Sequence, residues 1–292
     1  MDASGVWGPI LGDISGSIYE GKPADDNDWY RRGAGCKYRY FTDDTVLTVA
    51  TMDALLTDRD YKRAYLRWGK KYKHRGFSGR FIEWLDSDGQ KNGDSYGNGS
   101  AMRVAPIGWA FDSPVDVLVE AERSAKTSHN HWEGIEGAQS IAKAVWAMRH
   151  GYAQRSVYLG CAMSGSSWFW DEIPVEMVVA DQRGRPFSAT CAGTVPFALR
   201  VSSENVEFYG AISLALSAGG DTDTIACMAG AIVGARHGVP AGLVQEAREL
   251  LPKDMLKVID RFERRYDNAF SRAWREGLAL AREFFKNKHR PK

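Results

Sequence analysis

The chain has 292 residues, 44% hydrophobic and 26% charged, which is the composition of a folded globular protein and not of a disordered one. Its formal charge of +1 leaves no global electrostatic footprint for nucleic acid, and no run approaches the ~18 apolar residues of a membrane span. The opening MDASGVWGPILGD has no basic stretch before an apolar core, so it does not read as a signal peptide; four cysteines without a CxxC pair argue for buried thiols in a reducing cytoplasm over a disulfide framework or a thiolate zinc site.

In chain order, the first segment of interest is Gly12-Asp13-Ile14-Ser15-Gly16-Ser17-Ile18-Tyr19-Glu20. If it is helical throughout, Asp13 and Glu20 share one face, and Gly12 and Gly16 permit a close backbone contact. Residues 21–36 are polar and glycine-containing and suit a flap following Glu20, and Tyr38-Arg39-Tyr40-Phe41 looks extended. Residues 45–57 place Val46, Val49, Ala50 and Leu56 near helical spacing. Helices follow over 114–127 and 134–150; in the second, Ile135, Ala138, Ile141, Ala142 and Val145 form one stripe that stops at Gly151. Residues 162–175 and 181–194 are rich in Gly, Ser, Trp and Pro and read as surface loops around a short strand, VEMVV at 175–179. Two more helices are expected over 203–217 and 222–237, punctuated by Gly219-Gly220. Ala226, Gly230 and Gly234 recur every fourth residue, so a neighbouring backbone can approach that face closely. The segment 253–287 alternates charged and apolar residues (Leu256, Ile259, Phe262, Tyr266) and suits an amphipathic closing helix pair, followed by a solvated KNKHRPK tail. No linker or low-complexity tract divides the chain, so the expectation is one all-α domain over residues 1–292.

Two acidic segments carry the chemistry. Phe41-Thr42-Asp43-Asp44-Thr45 and Gly219-Gly220-Asp221-Thr222-Asp223-Thr224 each precede an apolar helix. Capping accounts for either one alone, because Asp and Thr are favoured N-caps and carboxylates suit the positive end of a helix. Capping needs a single oxygen, however, and paired carboxylates repel one another unless a cation lies between them. Taken together, the two segments offer four carboxylates and several hydroxyls. Such hard oxygen donors suit Mg²⁺, Mn²⁺ or Ca²⁺ better than Zn²⁺, and four negative charges can balance two divalent ions.

GDISGSIYE, FTDDT, YGNGSAMRVAPIG, SHNH and SAGGDTDTIACMAGAIVGARHG occur in the order found in ADP-ribosylglycohydrolases, and between residues 8 and about 237 the chain resembles that family. The resemblance implies an orthogonal all-α bundle with a dinuclear Mg²⁺ or Mn²⁺ site at the base of a cleft. It implies hydrolysis of the bond between ADP-ribose and an acceptor, with an ADP-ribosylated protein or another ADP-ribosylated acceptor as partner; the chain itself is expected to act as a monomer. Under it, Thr42, Asp43 and Asp44 ligate metal from one side, and Asp221, Asp223 and Thr224 from the other. Glu20 matches the glutamate near the metals and the scissile bond in the branch that acts on serine-linked and polymeric ADP-ribose. Tyr96, Gly97, Asn98, Gly99, Ser100, Ala101 and Met102 match the loop that wraps the diphosphate and distal ribose, where glycines let backbone N–H groups approach phosphate. His129 falls where the family carries a histidine near the substrate, although a helix-terminal histidine bonded to backbone reads equally well. Trp168, Phe169 and Trp170 lie in a stretch with no counterpart in the family. Two rival readings are a metal-dependent phosphohydrolase of nucleotide-sugar diphosphates and an inactive ADP-ribose-binding module. The acceptor stays open between serine, arginine, an O-acetyl group, a nucleic-acid base and a small molecule.

Overall fold

A computed structural model describes residues 2–24, 39–161, 173–204, 207–267 and 277. Among them are fourteen α-helices and one pair of two-residue strands, so the fold is all-α. The helices are α1 (Gly8–Gly16), α2 (Asp43–Leu55), α3 (Tyr61–Lys71), α4 (Gly79–Asp86), α5 (Ala105–Ala110), α6 (Pro114–Lys126) and α7 (Trp132–Arg149). They continue with α8 (Gln154–Cys161), α9 (Val175–Gly184), α10 (Cys191–Val201), α11 (Phe208–Ala218), α12 (Thr222–His237), α13 (Ala241–Leu250) and α14 (Lys253–Tyr266). Strand β1 (Asp2–Ala3) runs antiparallel to β2 (Val239–Pro240), with Asp2 opposite Pro240. No described helix is long and apolar enough to cross a membrane.

α12 is the central rod. Every residue from Thr222 to Ala235 is buried, and α1, α7, α10 and α11 pack around it. Its closest neighbour is α1, which is buried along its whole length. The two helices meet backbone to backbone, because a Cβ added at Gly8, Gly12 or Gly16 would fall 2.2 Å from Gly230 O, 2.0 Å from Ala226 O and 2.5 Å from Thr222 O. Small residues every fourth position on both partners produce this contact, and the functional consequence is positional. Residue 13 of α1 is pressed against the first turn of α12.

Several elements differ from the sequence expectation. VEMVV is the start of α9 and not a strand: Val175, Val178, Val179 and Gln182 are buried with helical periodicity, after Pro174 in an extended conformation. The expected loop over 181–194 contains the end of α9 and the start of α10, whose N-cap Thr190 accepts a hydrogen bond from the Gly193 N–H. The helix expected from 203 starts at Phe208; α10 closes first, with Ser202 and Ser203 hydroxyls donating back to the Ala198 and Arg200 carbonyls. α1 ends at Gly16, so Glu20 sits in the following turn and does not share a helix face with Asp13. Residues 39–42 form no ladder, and Tyr38 lies outside the described residues. Residues 21–24 are tied down by Gly21 N–H on Gly220 O and Ala24 N–H on Leu216 O, and the remainder of the expected flap lies outside the described residues. The same is true of Trp168, Phe169, Trp170, the second closing helix and the tail. Cys161, Cys191 and Cys227 are buried free thiols.

Candidate active site

The α1–α12 contact places Asp13 beside Asp223, and Asp13 then organises a third helix. Its Oδ2 accepts from the backbone N–H of Thr42 (3.0 Å) and Thr45 (3.1 Å) and from the Thr45 hydroxyl (2.5 Å), while Oδ1 accepts from the Thr42 hydroxyl (2.7 Å). A carboxylate from another helix thus caps the first turn of α2 and satisfies N–H groups that have no intrahelical partner. Thr42 is itself the N-cap, and its hydroxyl accepts from the Asp44 N–H.

With three helices locked in this way, the acidic segments converge. Carboxylate oxygens of Asp13, Asp44 and Asp223, all three residues buried, lie within 4.8 Å of one another. Asp44 Oδ2 accepts from the Thr224 hydroxyl at 3.2 Å, whereas its Oδ1 is buried with no hydrogen-bond partner. An orphaned carboxylate oxygen is costly in a protein interior, and a cation is the natural partner for it. Asp223 accepts from the Thr224 N–H at 2.9 Å, and Asp221 accepts from the Asn98 side-chain amide at 2.7 Å.

The electrostatics follow from this crowding. Burial is the largest cause raising each of Asp13, Asp43, Asp44, Asp221 and Asp223 above the ordinary carboxylate range. Repulsion from Asp223 comes next for Asp13, Asp43 and Asp44, and repulsion from Asp221 comes next for Asp223. Asp13 reaches about 7. Without a cation, the cluster holds protons that isolated aspartates would have released. Glu20 is raised as well, by partial burial and then by Asp223.

The cluster floors a cavity of about 530 Å³. Its wall includes Glu20, Thr42, Asp43, Asp44, Asp221, Asp223, Thr224 and His129. Of the loop from 96 to 102, Gly97, Asn98, Gly99 and Met102 line it. Tyr96 does not: it is half exposed and sets its ring edge-on to His131, with centroids 5.5 Å apart. Ser100 is turned away and donates to Gly134 O at 2.7 Å, and Ala101 is packed in the core. The loop is a one-turn 3-10 element at Asn98–Ser100, so a contiguous motif cannot face one way. The Gly97 and Asn98 N–H groups are already bonded, to Ser95 Oγ and Ala189 O.

Among known protein families, the one described as ADP-ribosylglycohydrolase matches residues 3–282. The chain belongs to the ADP-ribosylglycohydrolase family. It is 27% identical over 310 residues to ADP-ribosylhydrolase ARH3 of Homo sapiens, covering 80% of this chain and 84% of that one. It is also 27% identical over 307 residues to ARH3 of Danio rerio (80% and 81% covered), and 27% identical over 259 residues to the uncharacterized protein YegU of Escherichia coli (69% and 72% covered). A solved structure titled ADP-ribosylglycohydrolase-related protein complex superposes with a TM-score of 0.66 at 22% identity, over 89% of this chain and 96% of that one; it shares the fold.

Some of what this family member brings to its cleft was not picked out from sequence. Asp13 lies within the Gly12–Glu20 segment, but its four donors lie 29 and 32 residues away and leave no local signal. Arg75 also lines the cavity, its guanidinium 3.8 Å from the Phe41 ring centroid and donating to the Phe41 carbonyl. Phe187, in the connection between α9 and α10, lines the cavity while remaining half exposed. Neither residue belongs to a periodic or paired pattern. Asp94, just before the glycine loop, is exposed and ion-paired with Arg80.

Proposed function

We propose that the protein is a divalent-metal-dependent hydrolase that releases ADP-ribose from a modified acceptor by cleaving the glycosidic bond at the anomeric carbon of the distal ribose. The observation that carries this reading is the orphaned, buried Asp44 Oδ1 within an all-oxygen acidic cluster at the base of the cavity. Ligand cavities run to about 300–1,000 Å³, so a volume near 530 Å³ suits a dinucleotide-sized ligand such as ADP-ribose.

Asp43, Asp44, Asp221 and Asp223, with the hydroxyls of Thr42 and Thr224, would hold two Mg²⁺ or Mn²⁺ ions. Bound there, such ions supply Lewis acidity and a template for ribose hydroxyls. The chain's own residues do the rest. Asp13 is spent on α2, its four hydrogen bonds fixing the backbone that carries Thr42, Asp43 and Asp44. Asn98 orients the Asp221 carboxylate through its side-chain amide. Glu20 stands at the cavity wall with its proton affinity raised by partial burial and by Asp223, the direction that favours a proton-transfer group. Departure of the acceptor from an oxocarbenium-like centre needs one such group close by.

The acceptor is O-linked in this reading. A guanidine acceptor would call for a free carboxylate to pair with its planar cation, and Asp94, the acidic residue nearest the glycine loop in sequence, is already engaged by Arg80. Rates of ADP-ribose release from matched ADP-ribosylserine and ADP-ribosylarginine peptides at saturating Mg²⁺ test the assignment. Faster release from serine is expected, and a clear preference for arginine would overturn the acceptor while leaving the hydrolase. The buried free thiols agree with a reducing cytoplasm as the place of action.

A further inference from the structure

Arg103 is fully buried, and among the described residues no carboxylate pairs with it. Its guanidinium lies 4.0 Å from the Tyr65 ring centroid. Nη2 donates to the Ser124 carbonyl and to Ser128 Oγ, each at 3.0 Å, so the charge rests against the C-terminal end of α6. Ser128 Oγ is in turn 2.8 Å from His129 Nδ1. The far edge of the His129 ring is on the cavity wall: a Cβ at Gly99 would fall 2.9 Å from its Nε2, and one at Gly97 3.7 Å away.

The direction of each hydrogen bond follows from chemistry. A guanidinium only donates, so Ser128 Oγ accepts from Arg103. Ser128 is buried, and its hydroxyl proton has one acceptor within reach among the described residues, His129 Nδ1. Were Nδ1 protonated, Ser128 would accept from both neighbours and leave its own buried O–H unsatisfied, a net loss. Were the ring doubly protonated, a second buried cation would sit next to Arg103. Burial, then Arg103, then Arg80 of α4 in fact hold His129 well below the ordinary histidine range. Among the described residues, the apolar Phe81 also packs near the ring, 6.5 Å between centroids, and Asp94, ion-paired with Arg80, pairs with His129 through the backbone.

We propose that Arg103 and Ser128 are positioning residues that keep His129 neutral with its single proton on Nε2, so that the cleft wall presents an N–H donor to an oxygen of bound ADP-ribose. The ligand part of this proposal rests on the ADP-ribose reading of the cleft; the proton position does not. A neutral donor suits a site whose floor is acidic, because it binds oxygen without competing with cations for the carboxylates.

Nitrogen-15 NMR of histidine-labelled protein reads the tautomer, with His129 assigned by the signals lost in His129→Asn. In the parent protein, Nδ1 should be pyridine-like and Nε2 pyrrole-like, unchanged from about pH 5.5 to about 8.5, a range in which an ordinary histidine titrates. Ser128→Ala, with the rest of its spectrum retained, should show both tautomers and bind ADP-ribose about tenfold more weakly by calorimetry, with kcat on a bound substrate within about threefold of the parent. A protonated Nδ1 or an imidazolium in the parent overturns the proposal. So does a Ser128→Ala variant that keeps the parent tautomer, or one whose tautomer changes while ADP-ribose affinity does not. If the parent itself binds no ADP-ribose, the ligand reading fails, and the parent spectrum still decides the proton position.

Discussion

Replacing Gly12 by alanine perturbs the contact on which the acidic cluster depends. The new Cβ would sit 2.0 Å from the Ala226 carbonyl oxygen and 2.4 Å from its carbon, and both atoms belong to the backbone of α12. Unlike a side chain, neither can rotate away. Ordinary contact begins at 3.4 Å, so α1 and α12 must separate locally by more than about 1 Å. Overpacking of this kind costs about 1–3 kcal/mol, and the better helix propensity of alanine returns up to about 1 kcal/mol. The net of about 0–3 kcal/mol corresponds to a Tm drop of at most about 10 °C. Function should suffer far more than stability. Asp13 is the next residue on α1, so the same displacement moves it and the α2 turn it caps away from Asp223, and a 1 Å misplacement can cost about 100-fold in rate. Turnover at saturating Mg²⁺ and the Mg²⁺-induced rise in Tm should be measured on Gly12→Ala beside Gly242→Ala, where an added Cβ meets nothing within 4 Å. Parent turnover and a parent Mg²⁺ response in Gly12→Ala would refute the claim that this packing assembles the site.

Three further outcomes are expected. Asp44→Asn removes a buried carboxyl that the metal-free protein must keep protonated although the unfolded chain would ionise it, so in chelator it should melt above the parent, yet lose the Mg²⁺-induced rise in Tm and at least about 100-fold in turnover; melting below the parent in chelator would favour a purely structural Asp44. In the metal-free protein, carboxylates raised in the folded state keep protons that the unfolded chain releases, so their stabilisation is present at low pH and is lost as pH rises, between 3.8 and about 7 for Asp13; scanning calorimetry in EDTA should show Tm falling over that window and Mg²⁺ reversing the fall at its upper end. Glu20→Gln keeps the size of the side chain but not its proton exchange, so turnover should fall about 100-fold or more with ADP-ribose still bound; near-parent rates would return Glu20 to an ordinary exposed residue.

The bundle was readable where helix signals were local. Gly219-Gly220 before α12 and Gly238 after it bracket a helix whose bounds match the sequence expectation. α9 was obscured because VEMVV is too short a window to tell a period of two from one of 3.6; Gln182, outside it, completes the buried helical stripe. The start of α10 was hidden because residues up to Gly193 fall in the Gly-, Ser- and Pro-containing stretch 181–194 that reads as a loop, although Thr190 caps the helix. At the site, doubled carboxylates announced themselves, since like charges side by side need a reason. The supports did not. Asp13 meets Thr42 and Thr45, Asn98 meets Asp221, and Arg103 meets Ser128, all through contacts 25 or more residues apart that only the folded chain creates.

The central claim is that the Asp44–Asp223 cluster binds divalent metal in order to break a glycosidic bond. Incubating the protein with an ADP-ribosylserine peptide, in Mg²⁺ and in excess EDTA, and identifying the nucleotide product by chromatography and mass tests both halves at once. The account predicts intact ADP-ribose and an unmodified peptide in Mg²⁺, and none in EDTA. Turnover in EDTA with metal content shown to be negligible would contradict the metal requirement. Release of AMP with ribose phosphate left on the peptide would contradict the glycosidic cleavage and identify a phosphohydrolase.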